Sequence, residues 1–232
     1  MNKLIAFFLF NAIFSFSQVD INKLDENGKK NGLWKGFFED SKRLRYQGTF
    51  NHGQEIETFN YYDNTQDGAL IGVRVFNNTD KSVYTTFYDQ KKNIVSEGKS
   101  INKLNEGDWK YYHEGSKIVM TLEHYKAGKL NGKKVVFYKN GNVTEETSYV
   151  NGIKNGIYKN FTEKGIVLES SNYKNNELDG LAIYKDPTDK IVSKGLYKNG
   201  KKTGIWNFYK DGKFVSKTNF NFQGKKFAKR KV

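Results

Sequence analysis

The sequence predicts an all-β fold, an elongated, twisted array of antiparallel β-hairpins with a repeat of about 24 residues. Three observations predict it. Gly107, Gly132, Gly156, Gly180 and Gly204 are spaced 25, 24, 24 and 24 residues apart. Each is followed within a few positions by aromatic or aliphatic residues: Trp109, Tyr111 and Tyr112; Val136, Phe137 and Tyr138; Tyr158 and Phe161; Ile183 and Tyr184; Trp206, Phe208 and Tyr209. A second aromatic beat, Tyr125, Tyr149, Tyr173 and Tyr197, falls 17 or 18 residues after the glycine. A fixed period of this length marks stacked supersecondary units, none of which buries its apolar face alone.

Along the chain, the first element expected is a targeting signal. Lys3 precedes an apolar run from Leu4 to Phe16, and Ser15 and Ser17 stand three and one residues before a cut at Gln18. Basic start, apolar run and small residues read as a secretory signal peptide over 1–17, cleaved between Ser17 and Gln18. The run is short for a bilayer span. This predicts an exported protein, periplasmic or extracellular, with no transmembrane segment in the mature chain.

The array is expected over 18–222. Its N-terminal unit opens on Asn27-Gly28-Lys29-Lys30-Asn31-Gly32-Leu33-Trp34, and Phe50 answers the later tyrosines. Residues 53–98 are a degenerate stretch in which Phe59, Tyr61, Tyr62, Val73, Val75, Phe76, Val83, Tyr84, Phe87 and Tyr88 still supply strand-forming runs. The regular part, 99–222, shows hairpins plainly. Gly132 to Tyr138 is β-prone, Lys139-Asn140-Gly141-Asn142 interrupts it with an Asn-Gly turn signal, and Val143 to Tyr149 resumes it. Val143, Glu145, Thr147 and Tyr149 share one face by the two-residue period of a strand. The same face then holds Val167, Glu169, Ser171 and Tyr173, and next Ile191, Ser193, Gly195 and Tyr197. Between hairpins, Asn151-Gly152-Ile153-Lys154-Asn155-Gly156 reads as a linking turn, with Gly156 at a tight position of positive φ.

The pattern Asn-Gly-x-x-x-Gly-x-Trp/Tyr-x-x-Phe/Tyr, a glycine turn and then Tyr-x-x-Gly resembles the bacterial variant of the MORN repeat. Chains of that form are often labelled antitoxin-like members of toxin–antitoxin systems. The segments that carry the resemblance are Glu106 to Tyr112, Leu130 to Tyr138, Lys154 to Phe161, Lys202 to Tyr209 and, upstream, Asn31 to Phe38. The resemblance implies successive antiparallel hairpins in a twisted sheet, and a role in association with proteins or a membrane surface. It brings no catalytic residues with it.

Composition narrows the chemistry. There is no Cys, which excludes disulfides, thiolate nucleophiles and cysteine metal sites. The three histidines, His52, His113 and His124, lie apart and lack metal-ligand spacing. No Gly-x-Ser-x-Gly elbow, phosphate loop or dinucleotide fingerprint occurs. Asp63 and Asp67 do not complete a Ca²⁺ loop. The sequence therefore predicts no catalytic residues, no cofactor and no metal.

The formal charge is +14, and arginine is scarce beside lysine. Guanine and phosphate recognition favours arginine, so specific nucleic-acid binding is not expected. The basic C-terminal tail, 223–232, contains Lys225, Lys226, Lys229, Arg230 and Lys231 and forms a candidate electrostatic handle. The candidate interaction surface is the aromatic ladder: Tyr111, Tyr112, Tyr138, Tyr158, Tyr184, Trp206 and Tyr209. The expected function is that of a non-catalytic exported repeat protein, a protein-binding or cell-envelope-associated module whose partner is a protein or an anionic envelope component. The alternatives are a carbohydrate-processing envelope enzyme or accessory with a site in the degenerate middle, and an antitoxin-like binding protein.

Overall fold

The computed structural model describes residues 20–222. The expected signal peptide and the basic tail lie outside the described residues. The chain forms strands β1 (Lys23–Leu24), β2 (Lys30–Phe37), β3 (Leu44–Asn51), β4 (Gln54–Tyr62), β5 (Leu70–Phe76) and β6 (Ser82–Tyr88). There follow β7 (Ile94–Ile101), β8 (Leu104–Tyr112), β9 (Val119–Lys126), β10 (Lys129–Phe137), β11 (Val143–Val150) and β12 (Ile153–Phe161). The last six are β13 (Val167–Lys174), β14 (Glu177–Leu178), β15 (Gly180–Lys185), β16 (Ile191–Lys198), β17 (Lys201–Lys210) and β18 (Lys213–Asn219), before a short 3₁₀ turn at Phe220–Phe222. Consecutive strands pair antiparallel, with β14 and β15 sharing β13 as neighbour. The result is one open all-β meander of 18 strands. It runs through residues 53–98 without a break, by way of the β4–β5, β5–β6 and β6–β7 pairings.

Two-residue turns link the hairpins along one rim of the sheet. His52-Gly53, Ala127-Gly128, Asn151-Gly152, Asn175-Asn176 and Asn199-Gly200 have positive φ at both positions, between 47° and 85°. That is the type I′ geometry whose twist matches the flanking strands, and Asn and Gly reach it at least strain. Each turn is tied to the repeat before it. Gly53 N–H donates to the Lys30 carbonyl at 2.8 Å, Gly128 to Asn105 at 2.9 Å, Gly152 to Leu130 at 2.7 Å, and Gly200 to Leu178 at 2.9 Å. These backbone bonds stack one repeat on the next.

The anchor glycines do something other than turn the chain. Gly156 lies inside β12, four residues past the turn at Asn151-Gly152, which corrects the expectation of a tight turn at that glycine. Its φ is 113°, and it sits where the β11–β12 register slips between Thr147↔Tyr158 and Tyr149↔Lys154. Gly107, Gly132 and Gly204 also have positive φ, at 67°, 126° and 62°, with a slip of the same size beside them. Each is a bulge glycine: two extra residues on the outgoing strand re-aim the side chains that follow. On its other side each glycine faces the second aromatic beat, as in Gly107↔Tyr125, Gly132↔Tyr149, Gly156↔Tyr173 and Gly180↔Tyr197. In the degenerate stretch the equivalent bulge position is Glu57, at φ 60°. The geometry persists there without the glycine.

The re-aimed rings form the core. We call the face they occupy the inner face. Phe59, Trp109 and Trp206 lie against Gly48, Gly98 and Gly195 of the preceding strand, so closely that a β-carbon on any of these glycines would penetrate the ring. The indole N–H groups are satisfied by backbone: Trp109 Nε1 donates to Lys99 O at 2.8 Å and Trp206 Nε1 to Leu196 O at 3.0 Å. Where the ring is smaller, its neighbour is larger. Tyr158 stands between the buried Thr147 and Ser171.

This complementarity makes Gly195→Ala costly. The added methyl displaces the Trp206 ring, and the expected loss is about 1–3 kcal/mol, the usual cost of overpacking. Denaturant unfolding measures it. In a Trp206→Ala background the same change should cost far less, because the clash has been removed.

Candidate functional site

The sheet is a single layer, so both faces are open to a partner except where side chains fill them. On the inner face, between the Trp109 and Trp206 rings, the repeat columns hold tyrosines and glutamates. Glu123, buried to 9 % exposure, accepts a hydrogen bond from the Tyr125 hydroxyl at 2.7 Å and is paired with Lys134 at 3.1 Å. Glu145 accepts from Thr147 at 2.9 Å and from the Tyr158 hydroxyl at 3.4 Å. Glu169 accepts from Ser171 at 3.0 Å, and the Tyr184 and Tyr197 hydroxyls meet at 3.3 Å beside it. Tyr158 and Tyr173 pack edge to face with centroids 5.8 Å apart, and Lys154 lies over the Tyr173 ring at 5.1 Å. These tyrosines are half-buried. They form a continuous strip with apolar ring surface and polar tips, the composition that favours interfaces.

Electrostatics follow from this packing. Burial pushes the Tyr158 hydroxyl up to about 12, and the nearby Glu145 and Glu169 carboxylates act in the same direction. Burial and the hydrogen bond to Glu123 raise Tyr125, and burial and the Tyr197 hydroxyl raise Tyr184. The strip thus keeps its tyrosines protonated as hydrogen-bond donors.

The residues expected at the interaction surface divide between the two faces. Tyr111, Tyr158 and Tyr184 belong to the inner strip. Tyr112, just past the bulge that ends β8, instead turns its hydroxyl to Glu97 Oε1 at 2.6 Å, beside Lys110, on the outer face. Its hydroxyl is pushed up to about 12 by burial and then by that carboxylate. Tyr138 sits at the rim and donates to the Phe161 carbonyl at 2.8 Å. Tyr209 packs on Phe214 with Lys194 over its ring. Trp206 is a correction: it is 0 % exposed, enclosed by Gly195, Tyr184, Tyr197 and Phe220, with Lys202 over the ring at 4.1 Å. Its ring has no surface left for a partner. The tail residues Lys225, Lys226, Lys229, Arg230 and Lys231 lie outside the described residues.

The sequence places Glu145 and Glu169 on a repeat face outside the candidate interaction surface, to which Glu123 and Lys134 do not belong either. The signal was present in Glu145 and Glu169, spaced 24 apart with a tyrosine four residues after each. The outer face carries a different row: Ile157, Leu181, Leu196 and Ile205 are 53, 47, 48 and 51 % exposed, and Leu181 faces Leu196 across the strands. Where the N-terminal unit meets the degenerate stretch, a cleft of 410 Å³ is lined by Lys30, Arg45, Tyr46, Phe50, Glu55 and Tyr61. Its one lining carboxylate, Glu55, is paired with Arg74 at 2.8 Å and accepts from the Tyr61 hydroxyl at 3.2 Å. The histidines meet single partners: His52 and His124 meet Asp25 and Asp108 at 2.6 and 2.7 Å, and His113 donates to the Phe137 carbonyl at 3.0 Å. No group of three or more His, Cys, Asp or Glu that could hold a metal occurs among the described residues. No helix among them is long and apolar enough to cross a membrane.

The raised tyrosines give an alkaline signature. The native state holds these protons more tightly than the unfolded chain, whose tyrosines titrate near 10.0. Their contribution to stability is complete below that value and is lost as pH rises through the native values. Absorbance titration of the phenolates should show Tyr112 and Tyr158 ionising near 12, above the ordinary tyrosine value, with unfolding midpoints falling over the same interval.

A scan against protein-family models finds no match for this chain, and a search of curated proteins finds none. The functional reading therefore rests on the sheet itself.

Proposed function

We propose that this chain is a non-catalytic repeat protein of the MORN kind, exported from the cytoplasm, that works as a docking module for a protein or another component of the cell envelope. The observation that supports this reading most is the inner strip of tyrosines and glutamates. It repeats at the pitch of the array, is half-exposed, and lies on a sheet with no second layer over it among the described residues. Tyrosine supplies large contact area at low entropy cost, and the glutamates fix hydrogen-bond direction. Successive repeats present the same groups about 10 Å apart, twice the strand spacing, so an elongated partner meets them in register.

Export and docking are tested together in the source cell. The chain recovered from the envelope fraction should begin at Gln18 by intact mass. A photo-crosslinking residue placed at Tyr158 or Tyr184 should capture the same partner, whereas one at Ile157 or Leu181, on the opposite face, should not. A full-length cytoplasmic chain would refute export. Equal capture from the two faces would refute the inner strip as the docking surface.

A further inference from the structure

The rim that carries the within-hairpin turns ends in a ladder of rings. Phe37, Tyr62, Tyr88, Tyr112, Phe137 and Phe161 follow one another at 24 to 26 residues, each just past a register slip. In two repeats of the regular array the residue after the rung closes the gap to the next. His113, after Tyr112, donates to the Phe137 carbonyl at 3.0 Å, and Tyr138, after Phe137, donates to the Phe161 carbonyl at 2.8 Å. Asp89, after Tyr88, does not reach across. Its carboxylate is taken up by its own turn, accepting from Lys91 N, Asn93 N and Asn93 Nδ2 at 2.8–2.9 Å.

The next turn is also longer. The bond from His113 N to Ile118 O spans one residue more than that from Tyr138 N to Asn142 O, which is why this repeat measures 25 residues and not 24. Between the two turns a cleft of 450 Å³ opens, lined by Tyr88, Lys92, Asn93, Ile94, Tyr112, Ser116 and Lys117. Ile94, the register partner of Tyr88, lies on the strand between the two tyrosines. Tyr88 and Tyr112 stand on strands two apart, roughly 10 Å, which leaves room for one six-membered ring between them.

We propose that this cleft binds an acidic sugar residue of a polysaccharide. The apolar C–H face of a pyranose packs on tyrosine rings and Ile94, and its hydroxyls meet Asn93 Oδ1 and the Ser116 hydroxyl. The sugar carboxylate is met by the ammonium groups of Lys92 and Lys117, which give charge-assisted bonds without the planar fork that a phosphate diester favours. Glu114 lines an adjoining cleft of 320 Å³ and turns the acid toward the lysine side by repulsion. Apolar walls with a few directed polar groups are the usual make-up of a small-molecule site. This site is separate from the inner strip and stands whether or not that strip docks a partner.

Calorimetric titration of the full chain with trigalacturonate, and with neutral maltotriose as control, tests it. Trigalacturonate should bind and maltotriose bind more weakly. Lys92→Ala with Lys117→Ala should lower the affinity about ten-fold or more, the scale of hydrogen bonds to charged groups, with the melting temperature unchanged. Tyr112→Phe, which keeps the ring, should retain binding. A pair of the same charge change on regular turns, Lys139→Ala with Lys164→Ala, should leave it intact. No binding of trigalacturonate, equal binding of maltotriose, an undiminished Lys92/Lys117 variant, or an equal loss in the Lys139/Lys164 variant would each overturn the proposal. Crosslinking at Tyr158 and Tyr184 reads the inner strip independently.

Discussion

An aromatic ring lying flat on a glycine of the neighbouring strand is the contact on which this sheet depends. A single layer has no helix or second sheet to exclude water from its residues, so the cover must come from its own side chains. Trp109 over Gly98 and Trp206 over Gly195 do this with the largest side chain set against the smallest, and Phe59 over Gly48 repeats it in the N-terminal part. Each indole also satisfies its N–H with a carbonyl of the strand it covers, so burial leaves no orphaned donor. Truncating such a ring removes about 3–5 kcal/mol, a large part of the stability of an ordinary domain.

The ring reaches its glycine only because the backbone is bulged two residues earlier. Positive φ at Gly107 or Gly204 lets two extra residues enter the outgoing strand, which re-aims the following side chain onto the inner face. The type I′ turns then set the register, and their N–H groups bond to the repeat before. Glu57 shows that the geometry belongs to the array more than to any one residue. It holds φ at 60°, in the left-handed region, at a local cost of about 1–3 kcal/mol that the surrounding ladder over-determines.

Polar groups are placed by the same columns. Where Trp gives way to Lys134, Tyr158 and Ala182, space appears on the inner face and is filled by Glu123, Glu145, Glu169 and their tyrosines. In a chain of formal charge +14 this gathers three glutamates onto one face. The exposed Ile157, Leu181, Leu196 and Ile205 give the other face a different chemistry. One repeat thus presents two unlike surfaces, separated by the thickness of a strand.

Period, strand content and turn chemistry were legible in the amino-acid sequence because they are local: a 24-residue beat, alternation by two, and Asn-Gly pairs dictate hairpins whatever surrounds them. The role of Gly156 was not legible, since a glycine of positive φ reads alike in a turn and in a bulge, and only the register of β11 on β12 tells them apart. Nor was the fate of Trp206. An aromatic at the repeat period is equally suited to a core and to a platform, and its burial is decided by Gly195, Tyr184, Tyr197 and Phe220, which approach it from three other segments. The split of Tyr111 and Tyr112 between faces and the pairing of glutamates with tyrosines were likewise settled by cross-strand register. Sequence by itself determined which strands form and in what order. Tertiary structure decided which side of them is filled and which is left open, because that depends on contacts between residues on different strands, such as Tyr184 and Trp206.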